Sequence, residues 1–111
     1  MKETLAKSKI LNISIKQSKE YNEYLEAKKE LQSNEDLCNK VICFKNRNKE
    51  LQSHPDYNPL DEVIALTKEY EEVLNDCVVS RYLQAEQKVC KLLQEVYNKI
   101  AEGLEFGELD E

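Results

Sequence analysis

Apolar residues along this chain recur at steps of three and four, the period of a helix that turns one face inward. After residue 35, Leu37, Val41, Phe44 and Leu51 stand at offsets of 0, 4, 7 and 14, with Asn48 in the interrupted position. Val63, Leu66, Tyr70, Val73 and Cys77 repeat the step, and so do Val79, Tyr82, Glu86, Val89, Leu93, Val96 and Ile100. The first thirty or so residues are ambiguous, because Leu11, Ile13 and Ile15 alternate with Asn12 and Ser14 as a short strand would. No second stretch alternates convincingly to pair with it, so the longer spacing through Ala6, Ile10, Ile13, Tyr24, Ala27 and Leu31 decides for a helix. Leu11, Tyr21 and Leu25 widen its apolar arc beyond half the circumference at about 100° per residue. A helix of nearly 30 residues, about 45 Å long and wet on so little of its surface, needs more cover than one neighbour of its own chain provides. The pattern predicts an all-α antiparallel bundle of about four helices with a long N-terminal helix, associating through that helix as a homodimer or higher homo-oligomer.

Turn chemistry sets the boundaries. Ser33 to Asp36 fits the capping pattern in which a serine or asparagine oxygen takes an orphan amide, so one helix ends near Gln32 and the next begins near Glu35. Asn58-Pro59 followed by Asp61 and Glu62 reads as an N-cap, a proline in the first helical turn, and acids at the positive helix end. Residues 52–58 are then the main loop. Asn75-Asp76 marks a weaker stop, where the chain is expected to bend. Residues 1–104 form one domain, and 105–111 a short acidic tail.

Composition supports helices: of 111 residues 34% are charged, with only two glycines, two prolines and no tryptophan. The formal charge is −6, which sets the chain as a whole against phosphate backbones, so no direct nucleic-acid partner is expected. The charge is uneven. Residues 1–19 hold five lysines against Glu3 alone, whereas the chain from Glu102 onward is acidic and without a base. No apolar stretch approaches the roughly 20 residues that cross a bilayer, and ILNISI is interrupted too early for a signal peptide. A cytoplasmic protein with reduced cysteines is the expectation, with no membrane insertion.

Chemistry-bearing residues are sparse. Cys38 and Cys43 are five apart, and Cys77 and Cys90 thirteen, which places each pair roughly 140° apart on a helix and outside the spacing of paired metal ligands. Structural packing is the expected role of all four, with a cysteine-ligated iron–sulfur or metal site shared between subunits as the alternative. His54, the single histidine, stands before Pro55 in the loop with no nucleophile motif beside it. A Glu-x-x-His metal motif and a glycine-rich phosphate loop are both lacking. No enzymatic activity, catalytic residue or cofactor is expected. Tyrosine is the remaining signal. Tyr21, Tyr24 and Tyr82 lie on or beside the apolar seams, and the frames YLEAKKEL (24–31) and YLQAEQKV (82–89) echo one another as helical grammar does. Acids surround Tyr21 and Tyr24, which opposes base stacking and favours helix or subunit contacts. The candidate interface is Ile10, Ile13, Tyr21, Tyr24, Ala27, Leu31 and Tyr82.

The order Leu11, Ile15, Ser18, Glu20-Tyr21, Tyr24, Ala27 and Leu31, followed by the capped second helix up to Phe44, resembles the first half of the YlbF/YmcA family, which includes short YheA-like members. Val79, Tyr82-Leu83, Ala85-Glu86, Leu92-Leu93, Val96 and Ile100 are similar to that family's closing helix, so the likeness runs from about residue 5 to 103. The resemblance implies an all-helical fold that assembles into dimers or larger complexes without catalysis of its own. Bacillus-type members act in competence, sporulation and biofilm formation, and work with a membrane-associated ribonuclease in messenger RNA maturation. Related regulators and a ribonuclease complex are thereby implied as partners. Some members bind iron–sulfur clusters through cysteines of a C-terminal extension, but here the chain after Ile100 has no cysteine. No cluster ligand carries over.

Overall fold

The computed structural model describes residues 1–53 and 59–105, which form six helices and no strand. These are α1 (Lys2–Lys16), α2 (Lys19–Gln32), α3 (Glu35–Ser53), α4 (Pro59–Glu69), α5 (Glu71–Asn75) and α6 (Cys77–Ala101). The all-α expectation stands, but four helices become six because two of the predicted ones are each broken once.

The long N-terminal helix is the main correction. It breaks at Gln17-Ser18, where Ser18 takes an extended conformation with ψ 151°. The Ser18 hydroxyl donates to the Ile15 carbonyl at 2.6 Å and accepts the Tyr21 N–H at 3.2 Å. One side chain thus ends α1 and caps α2, and the Asn22 amide donates to the Ser18 carbonyl at 2.8 Å. The second break falls at Tyr70, with φ −102° and ψ 18°, between α4 and the single turn or so of α5. At Asp76 the chain bends as expected: ψ is 135°, and the carboxylate accepts the N–H groups of Val78 at 2.9 Å and Val79 at 3.4 Å to open α6. Asn34, rather than Ser33, opens α3, its side-chain oxygen accepting the Leu37 N–H at 3.2 Å. α4 begins at Pro59 as its sequence implies, while His54, Tyr57, the cap at Asn58 and the tail beyond 105 lie outside the described residues.

Antiparallel α2 and α6 make the main packing contact, with α3 on α2, α5 on α6, and α4 held by α3 and α5. Ala27 and Leu31 of α2, Val41 of α3, and Val79, Tyr82 and Ala85 of α6 form the buried core, with Val79 wholly enclosed. The two alanines are small seam residues that let α2 and α6 approach closely. A satellite contact joins α3 to α4, where Leu66 is buried and the rings of Phe44 and Tyr70 meet edge to face at 5.4 Å. The result is a slab of 48 × 39 × 17 Å with a radius of gyration of 18.5 Å. A compact domain of this length has about 13 Å. So open a chain leaves apolar surface that its own helices do not cover.

Candidate interaction surface

Tyr24, Ala27, Leu31 and Tyr82 come together, but inside one chain. Tyr24 packs against the core cluster that holds the other three, its ring 5.8 Å from that of Tyr82. Tyr21 is half-buried and continues the stack, 6.3 Å from Tyr24. The seam of YLEAKKEL thus closes against the seam of YLQAEQKV. At its edge the Tyr82 hydroxyl donates to Glu86 at 3.1 Å and accepts from the Lys45 ammonium at 3.3 Å, while Lys45 pairs directly with Glu86. Burial, then the hydrogen bond with Tyr24 and the charge of Glu86, push the Tyr82 phenol well above its ordinary pKa. This trio satisfies the polar end of a core tyrosine and ties α3 to α6.

Ile10 and Ile13 stand apart from those residues, 67% and 46% exposed on α1. On the same helix Leu11 and Ile15 are half-buried, and Leu11 lines a groove with Leu92, Val96 and Ile100 of α6. At about 100° per residue, Ala6, Ile10 and Ile13 centre roughly 150° away from Leu11 and Ile15. α1 therefore has two apolar faces, one toward α6 and one that no described residue covers.

The end of α6 shows the same shortage of cover. Its 25 residues make about 37 Å of helix, whereas the 14 of α2 make about 21 Å. Val79, Tyr82 and Ala85, opposite α2, are buried, but further along the same seam Leu93, Tyr97 and Ile100 are 46%, 65% and 58% exposed. Because α1 leaves the line of α2 at Ser18, it shelters only part of that seam. Sequence spacing identified Ile10 and Ile13; it missed Leu93, Tyr97 and Ile100 as surface because a seam position reads alike whether or not a helix lies against it.

Cysteine burial is a further correction. Only Cys38 packs against the core, while Cys43, Cys77 and Cys90 are exposed on helix faces that no neighbour covers. Among the described residues no three or more histidine, cysteine, aspartate or glutamate side chains are grouped to hold a metal ion. No described helix is long and apolar enough to cross a membrane.

Fold and surface together define a small all-α protein of open shape, with its core between two helices and an uncovered apolar end. The chain belongs to the YlbF/YmcA family, described as control of competence regulator ComK, whose model matches residues 4–105 of the 111. That is a regulatory family and not a known enzyme family. No curated protein and no solved structure matches the chain.

Proposed function

We propose that this protein is a non-enzymatic cytoplasmic adaptor that acts by self-association and by contact with regulatory proteins. Family membership supports the regulatory half of this reading. Two uncovered apolar faces, Ile10 and Ile13 on the outer side of α1 and Leu93, Tyr97 and Ile100 on the far half of α6, carry the other half. Exposed apolar side chains grouped on a helix face in this way mark interaction sites in proteins that otherwise keep such side chains dispersed. Its partners are further copies of itself, related regulators, and components of a ribonuclease complex that matures messenger RNA. The protein reaches RNA through those partners, because its own formal charge of −6 opposes direct binding.

Affinity capture of the native protein from its host, paired with an Ile10→Asp/Ile13→Asp variant, tests this. The native protein brings down a ribonuclease-complex component or a related regulator, and the variant loses it with helicity unchanged. Recovery of neither partner class by the native protein counts against the regulatory role.

A further inference from the structure

The two ends of the slab differ in charge as well as in exposed apolar surface. α1 (residues 2–16) and the far half of α6 (88–101) hold seven lysines against Glu3 and Glu95, a formal charge of +5. α4 and α5 (residues 59–75) hold five acids against Lys68, a formal charge of −4. On α1 the uncovered face of Ala6, Ile10 and Ile13 is bordered at helical spacing by Lys9 on one side and, on the other, by Lys7, which pairs with Glu3 at 3.6 Å.

A matching surface exists on α4 and α5. Leu66 and Tyr70 turn α4 inward, which leaves Leu60, Val63 and Ile64 exposed. Val63, Ile64 and Leu74 line a groove between α4 and α5, with Lys68 and Glu71 on its wall and Glu72 exposed beside it. Glu69 is already paired with Arg47, so Glu71 and Glu72 are the acids this groove presents beside Lys68. Its floor is apolar, and the α4 and α5 helices around it carry a net negative charge. A basic helix with an apolar stripe is its chemical complement, and α1 is such a helix.

We infer that the chain assembles head to tail, the outer face of α1 in one copy docking into the α4–α5 groove of a second. This rests on the self-association proposed above and names the surface that receives Ile10 and Ile13. Charge decides between arrangements: packing like ends together sets +5 against +5, while opposite ends set +5 against −4. Such contacts propagate into a ring or an open chain, or close as a pair when both grooves are filled at once. One helix in one groove is a small contact beside the roughly 1,200 Å² of a stable interface, so the charge term matters and association weakens with salt.

Two charge-reversed proteins test it. Lys7→Glu/Lys9→Glu reverses the helix and Glu71→Lys/Glu72→Lys reverses the groove, all at exposed positions. Light scattering at micromolar concentration should give each variant the mass of one 13.0 kDa chain, with wild-type helicity by circular dichroism, and an equimolar mixture should regain assembly. Wild-type assembly retained by both variants alone overturns the head-to-tail arrangement while leaving self-association intact. A wild type that itself stays at 13.0 kDa overturns self-association, whether or not it binds vesicles of anionic phospholipid.

Discussion

Leu31→Ala and Ile13→Ala delete similar amounts of hydrocarbon from two positions that the sequence reads alike, yet they should behave differently. Leu31 is 3% exposed between α2 and α6 of one chain. Truncating such a leucine costs about 3 kcal/mol in lost burial plus the cavity left behind, toward the lower part of the usual range because a slab 17 Å thick lets neighbours close in. A chain of this length has about 5–10 kcal/mol of stability in total. The loss lowers the melting temperature by about 12 °C, at about 4 °C per kcal/mol for this size. Ile13 is about half exposed, so its truncation removes less than about 1 kcal/mol from folding and acts on assembly instead. Since association stabilises the folded chain by mass action, the Ile13→Ala deficit should be small in dilute solution and grow with protein concentration. Thermal melts by circular dichroism over a hundredfold concentration range read both effects. A Leu31→Ala protein that melts with the wild type in dilute solution and loses only assembly would place this seam between chains and refute the account.

Tyr82→Phe removes the hydroxyl shared by Lys45 and Glu86 and should cost about 1–2 kcal/mol in denaturant unfolding, with assembly unchanged. Because the folded phenol titrates above the usual value of about 10, the stability that depends on its neutral form is intact below about pH 10. It is lost above that, as the unfolded chain's phenol ionises first; Tyr82→Phe should flatten this alkaline limb of the stability profile, and an unchanged limb would rule out the cause. Ser18→Ala removes the cap of α2 and the stop of α1, and should cost about 1 kcal/mol in thermal or chemical unfolding. Ala85→Leu forces α2 and α6 apart at their buried contact and should destabilise by about 1–3 kcal/mol, while Cys90→Leu on an exposed face stays within about 0.5 kcal/mol of wild type.

Periodicity made the helices legible, and side-chain capping chemistry made the starts at Asn34, Pro59 and Asp76 legible too. The break at Ser18 was hidden by the same periodicity. Ile13 and Tyr24 are eleven residues apart, three helical turns, so the apolar step continues in phase across a serine that stops one helix and starts another. Only the polar run from Lys16 to Glu20 hinted at it. That error carried into the candidate surface. With one unbroken N-terminal helix, Ile10, Ile13, Tyr24, Ala27 and Leu31 form a single stripe; with the break, Ala27 and Leu31 close on α6 while Ile10 and Ile13 are left uncovered. The bare half of α6 follows from the mismatch between a 25-residue helix and a 14-residue partner, which no reading of α6 alone could reveal. Cysteine burial failed for a related reason: residue type favours the interior, but position on the helix decides, and only Cys38 is on a packed face.

Self-association through the uncovered α1–α6 end is the central claim, and solution mass tests it most directly. Light scattering behind size-exclusion chromatography should give the wild-type chain, at micromolar concentration and low salt, a multiple of 13.0 kDa. Ile10→Asp/Ile13→Asp should return it to 13.0 kDa with its helicity intact. A folded wild-type monomer under those conditions, or a double variant that assembles as the wild type does, would contradict the account.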